Sequence, residues 1–147
     1  MDPLLRDARL YVYSQIVETS AAPTAAETAC ALGRTLEEIE SAYQQLADAR
    51  MLVLRPASHT IWMAMPFSNM QTPFTVISGG RAYYANCAWD AFGVAVVLGC
   101  DARIFTTCPD CGGALERKVC NGAVVDPRGL VHFALPPRKW WADVGFT

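Results

Sequence analysis

The stretch Asn86-Cys-Ala-Trp-Asp-Ala-Phe-Gly-Val-Ala-Val-Val-Leu98 decides how the rest of this 147-residue chain is read. It lies in a helix candidate running from Ala85 to Leu98. It is apolar almost all round, which predicts burial on most faces. Yet the first turn of that helix holds a thiol and a carboxylate. Cys87 and Asp90 stand three residues apart, which places them on one helix face. Asn86 suits the N-cap, with Cys87 at the first helical position, where the helix dipole favours a thiolate. Asp90 sits among Ala, Trp and Phe, surroundings that raise a carboxyl's pKa and let it hold a proton. A nucleophilic sulfur beside a proton donor is equipment for cleaving a bond at a soft atom. The bland alternative is an acid that only complements the dipole, next to a cysteine buried as a small hydrophobe. Spacing alone leaves both readings open.

Upstream, the first third reads as three helices and a hairpin. The first helix runs from about Leu4 to Glu18, with Leu5, Ala8, Tyr11, Val12 and Ile16 at helical spacing. Thr24 with Glu27, and Thr35 with Glu38, each fit a capping box that opens a further helix. Met51–Leu54 and Thr60–Ala64 flank a turn and read as a hairpin. Together these predict a winged-helix-like unit over residues 1–65. Residues 66–73 look like a linker. Downstream, Phe74–Ser78 and the stretches 103–107, 114–119, 123–125 and 131–135 read as short strands around the apolar helix. The expected fold class is α+β: a three-helix, winged-helix-like unit packed on a small mixed or antiparallel sheet with one buried helix, the core spanning 74–147.

Composition narrows the function. Hydrophobic residues make up 52% of the chain and charged residues only 18%, so a core is easily buried and disorder is excluded. The net charge of −2 gives no general attraction to nucleic acid or to an anionic membrane. The start, Met-Asp-Pro-Leu-Leu-Arg, has no basic segment leading into an apolar run. The longest apolar stretch, Ala91–Gly99, is about half of a bilayer span. A cytoplasmic location is expected, where the six cysteines are thiols, metal ligands or catalytic groups before they are disulfides. A DNA-binding regulator is the reading a winged-helix unit raises. Its would-be recognition helix carries Glu37, Glu38, Glu40 and Asp48, whereas a groove-reading helix needs Arg, Lys, Asn or Gln.

Cys108-Pro-Asp-Cys-Gly-Gly113 has the form of a zinc knuckle, but no second CxxC or CxxH completes four ligands. Cys100 and Cys120 could complete a set only at irregular spacing. The better reading is a strand-to-strand turn with Cys108 in the core near the reactive helix. Cys30 reads as a core residue and Cys100 as structural. His59 and His132 lack partners at ligand spacing and read as structural, and Trp140-Trp141 reads as packing.

The run Ala82-Tyr-Tyr-Ala-Asn-Cys-Ala-Trp-Asp90 resembles the organomercurial (alkylmercury) lyase signature, in which Tyr-Ala-x-Cys-Ala-x-Asp opens a buried helix. The resemblance extends to the helical unit, which covers the catalytic core in that family, and to the strand region containing Cys108. It implies cleavage of the carbon–mercury bond, with a hydrocarbon released and Hg(II) kept on sulfur. Cys87 would capture mercury, and Asp90 would protonate the departing carbon and help hold the metal, with Cys108 a further candidate ligand. No organic cofactor is implied. The implied partners are the organomercurial substrate, cellular thiols that deliver it and remove the product, and mercuric reductase; nucleic acid and membrane are not among them. The family uses a second essential cysteine after a segment like Trp140–Thr147, and the sequence stops where it would be expected. Cys108, Cys111 and Cys120 are candidates to replace it. The alternatives are a non-catalytic thiol protein that binds mercury or another soft metal and, more weakly, the transcriptional regulator.

Overall fold

The computed structural model of the chain describes residues 2–133 and 135–145. Helix α1 (Pro3–Thr19) opens with Asp2 accepting the Leu4 N–H and Pro3 at the first helical position, where its missing donor costs nothing. Helices α2 (Ala25–Leu32) and α3 (Leu36–Asp48) both begin with complete capping boxes, Thr24–Glu27 and Thr35–Glu38. Helix α3 buries the stripe Ile39, Ala42, Tyr43 and Leu46. Strands β1 (Val53–Leu54) and β2 (Ile61–Ala64) form the expected hairpin.

The 66–73 stretch carries β3 (Phe67–Ser68), which joins the hairpin to the rest of the molecule. It pairs with β2 on one side and with β5 (Arg81–Ala85) on the other. Strands β4 (Phe74–Ser78), β6 (Ala102–Thr107), β7 (Ala114–Cys120) and β8 (Ala123–Val124) complete one eight-stranded sheet of order β1-β2-β3-β5-β4-β6-β7-β8. Every pairing in it is antiparallel. The α+β expectation holds, and the sheet is antiparallel, not mixed.

Long side chains tie α1 to this sheet. The last carbonyls of a helix have no partner inside it. Here Tyr83 donates to Val17 O and Arg81 to Glu18 O, both at 2.8 Å, while Tyr13 donates to Met65 O at 2.8 Å. Phe67 lies between the Tyr13 and Tyr83 rings and is buried. Asn69 accepts the Ala22 N–H and donates to Ile61 O, joining the α1–α2 connection to β2.

Helix α4 (Ala88–Leu98) packs on β4, β5 and β6 through Ala91, Val94 and Ala95. It is not buried on most faces as its composition predicts: Trp89 is 61% exposed and Val96 77%. One sheet covers one side of a helix, and Trp89, Val96 and Val97 on the outward side stay exposed. Gly93 lets the helix approach the 65–66 segment, since a Cβ there would lie 3.1 Å from Pro66 Cβ. The expected strand 131–135 is absent at 131–133, and Ala134 lies outside the described residues. Alternation makes a strand only where a neighbouring strand pairs with it, and residues 131–133 pair with none. Phe133 instead meets the rings of Trp89 and Trp140, at 6.3 and 5.2 Å between centroids. A short 3-10 helix, Pro137–Ala142, follows. Cys30 and Cys100, read as core and structural, are both exposed. No helix among the described residues is long and apolar enough to cross a membrane.

The helical unit contains a buried polar pair that a titration can read. Thr28 Oγ1 donates to Thr24 O, so the Tyr43 hydroxyl, 2.6 Å away, donates to Thr28. Burial, the largest cause, pushes the Tyr43 pKa from 10.0 up to about 12. The folded protein therefore holds this proton more tightly than the unfolded chain, and that stabilisation is lost as pH rises from 10 toward 12. Tyr43→Phe should cost about 1 kcal/mol near neutral pH and flatten the loss of stability above pH 10 in denaturant titrations.

Candidate active site

The site begins where β5 ends. Ala85 is fully buried and paired on both sides, opposite Phe67 of β3 and Phe74 of β4. Its carbonyl accepts a 2.6 Å hydrogen bond from Thr72 Oγ1. Two residues later the chain turns into α4. Cys87 itself, not Asn86, is the N-cap: its backbone is extended (φ −150, ψ −179) and its Sγ accepts the Asp90 N–H at 3.5 Å. The first helical position belongs to Ala88. Sequence alone favours Asn86 because an amide oxygen is the stronger cap. The structure instead gives the orphan donor to the sulfur.

This placement changes the electrostatics expected of the thiol. Burial pushes the Cys87 pKa up and outweighs the backbone N–H groups of Asp90 and Trp89, which favour the thiolate; the Asp90 charge pushes it up further. Desolvation thus defeats the helix terminus, and the dipole-stabilised thiolate read from sequence is not what the fold provides. Burial also raises the Asp90 pKa, against lesser opposing effects of the Asn86 amide and the Cys87 side chain. The Asn86 amide is close enough to favour the ionised carboxylate. Even so, its buried Oδ1 and Nδ2 make no hydrogen bond of ordinary geometry with any described residue. The result is a thiol and a carboxyl that both bind protons more tightly than usual, beside an amide with bonding capacity to spare.

Cys87, Asp90 and Asn86 open onto a cavity of about 60 Å³ walled by Met63, Met65, Phe133, Trp140, Trp141 and Val144. A second cavity of about 200 Å³ also reaches Asn86, Cys87, Phe133 and Trp140, and adds His132. The Trp140 indole is fixed by its N–H donating to Leu135 O at 2.9 Å. Trp140 and Trp141, read as packing, and His132, read as structural, therefore stand at the site. The two methionines come from β2 and the residue after it, more than twenty positions away, and only the fold brings them in. A dense aromatic and proline-bounded segment over 133–141 was the available signal for the rest.

The other cysteines lie elsewhere. Cys108 follows the end of β6 in a groove shared with Ala88 and Phe92, which places it near the reactive helix but half-buried, not in the core, and not among the residues lining the Cys87 cavities. Neither Cys111 nor Cys120 lines the Cys87 cavities. Among the described residues no group of three or more His, Cys, Asp or Glu side chains could hold a metal ion. His59 faces Glu40 across 3.4 Å.

The alkylmercury lyase family model matches residues 67–147, more than half of the chain and all of the site except Met63 and Met65. The chain belongs to the alkylmercury lyase family. Its fold is similar to that of a solved structure described as the mercury-bound form of MerB2, with a TM-score of 0.66 at 23% sequence identity. That similarity covers 86% of this chain and 60% of the other, so this lyase-family chain spans about three-fifths of its structural neighbour. No curated protein matches it.

The raised pKa of Cys87 makes a direct prediction. Iodoacetamide alkylation of Cys87, followed by peptide mass spectrometry, should rise with pH through a midpoint above the ordinary thiol value of about 8.5. Asp90→Asn removes a charge that pushes this pKa up, and should move the midpoint down.

Proposed function

We propose that this chain is an organomercurial lyase that cleaves the carbon–mercury bond by protonolysis at Cys87 and Asp90, in the cytoplasm and with small thiols as co-reactants. The observation that carries the reading is the contact of the Cys87 sulfur with the first turn of α4, which holds it beside the Asp90 carboxyl in an aromatic-walled cavity. Soft mercury prefers soft thiolate. An ion of that kind deprotonates the thiol it binds.

In this mechanism a substrate R–Hg–SR′ meets the Cys87 thiol. Sulfur bonds to mercury, R′S⁻ departs, and the thiol proton passes to the Asp90 carboxylate. The raised pKa of Asp90 suits it to hold that proton. The carbon–mercury electron pair then takes the proton, hydrocarbon R–H leaves, and mercury remains between Cys87 and Asp90. R′S⁻ and one further R′SH remove it as Hg(SR′)₂, restoring the Cys87 thiol and Asp90 carboxylate. The sum is R–Hg–SR′ + R′SH → R–H + Hg(SR′)₂, with no change of oxidation state. The aromatic walls keep competing water from the proton and the mercury. Free thiol supplies the second sulfur, because no other cysteine among the described residues lines the cavity. That same solitary cysteine favours, as a second reading, a protein that binds mercury without cleaving it.

With phenylmercury and excess thiol, the chain should release benzene into the headspace, and Cys87→Ser should release none above background. Asp90→Ala should slow release by ~10²–10⁴-fold, the usual worth of a positioned proton donor. Benzene from Cys87→Ser at the parent rate would sink the assignment. Mercury bound at Cys87 without benzene would favour the binding protein.

A further inference from the structure

Sulfur chemistry in this chain is not confined to Cys87. The turn joining β6 to β7, Cys108-Pro-Asp-Cys-Gly-Gly113, is closed by Cys108 N–H donating to Gly113 O and Gly112 N–H donating to Cys108 O, both at 2.8 Å. Gly112 takes φ +69, a left-handed conformation that suits glycine and lets the turn reverse this tightly. The reversal aims the Cys111 thiol and the backbone N–H groups of Cys111 and Asp110 at the Cys108 sulfur, and together they hold its pKa below the ordinary thiol range. Both cysteines are free, with Cys111 exposed and Cys108 half-buried.

A pair of thiols in one tight turn is a chelate. Structural zinc requires four ligands, and among the described residues no third side chain joins these two in a metal-binding group. The ion that fits is one satisfied by two soft sulfurs, and Hg(II) binds two thiolates in line. Position points the same way. Cys108 lies in an elongated groove of about 430 Å³. That groove and the 200 Å³ cavity at Cys87 share Phe74, Ala88 and Val131 as walls. The two hollows therefore adjoin at the start of α4, with Cys87 lining one and Cys108 the other.

We propose that Cys108 and Cys111 form a second mercury site, a two-thiolate acceptor that takes Hg(II) from small-thiol complexes leaving Cys87. In the exchange, mercury's bonds to two small thiolates break and bonds to Cys108 and Cys111 sulfur form. The two protein thiol protons pass to the departing thiolates, and nothing is oxidised or reduced. Two sulfurs on one turn act at an effective concentration in the millimolar range or above, so they out-compete separate thiols one at a time. The flow of mercury from Cys87 rests on the lyase reading; the binding site does not.

The test uses the Cys87→Ser chain, mercuric chloride and excess 2-mercaptoethanol, with mercury per chain measured after gel filtration. The chain should retain an equimolar amount of mercury. Replacing Cys108 or Cys111 by Ser in that background should cut retention roughly tenfold or more, because a lone thiol loses the chelate advantage. No retention by Cys87→Ser, or retention indifferent to Cys111, overturns the second site and leaves benzene release by the parent untouched. Retention by Cys87→Ser that depends on Cys108 and Cys111, beside a parent that releases no benzene, would uphold this site and count against the lyase.

Discussion

The position of Ala85 governs the rest of the site. It is fully buried, held between Phe67 of β3 and Phe74 of β4, and its carbonyl is tied to Thr72. A residue fixed on both edges of a strand cannot shift register without turning its neighbours to the wrong face of the sheet. The chain therefore leaves β5 at one place and in one direction, and Cys87 enters as the cap of α4. The sulfur is spent on a backbone N–H, which fixes its distance from Asp90. Thiol and carboxyl are thus placed by the sheet more than by the helix that carries them.

This placement has an electrostatic cost with a use. A thiol at a helix start usually gains acidity, whereas burial reverses that here. Asp90 is pushed in the same direction by the same desolvation. A site that holds a neutral Cys87 thiol beside a carboxylate of raised proton affinity is poor at attacking carbon electrophiles at neutral pH. It is well suited to an ion that expels the thiol proton on binding, because that proton then has an acceptor beside it. Under the proposed function, preference for a thiophilic substrate would follow from the same burial.

Much of this was legible in the sequence, and the parts that were not share a cause. Helices α1 to α3 follow from local signals, the Thr24–Glu27 and Thr35–Glu38 boxes and apolar stripes, which need no distant partner. Cys87 and Asp90 stand out because a polar pair is conspicuous in so apolar a helix. Strand β5 was missed since Arg81-Ala-Tyr-Tyr-Ala85 has a strand's identity only between β3 and β4. The 131–135 alternation misled for the opposite reason, offering a strand where no edge receives one. Met63, Met65 and Trp141 reach Cys87 only through tertiary packing, and no spacing rule finds residues that meet across twenty positions or fifty.

Carbon–mercury cleavage at Cys87 would be a conversion at one sulfur. Intact-mass spectrometry of the chain mixed with equimolar phenylmercury should show a phenylmercury adduct that matures to mercury alone. Cys87→Ser should form no retained adduct in the presence of competing monothiol at early times, and Asp90→Asn should hold the phenylmercury adduct without maturing it. A parent adduct that never loses its phenyl group, or an Asp90→Asn adduct that loses it as fast as the parent, would contradict the pairing of Cys87 with Asp90.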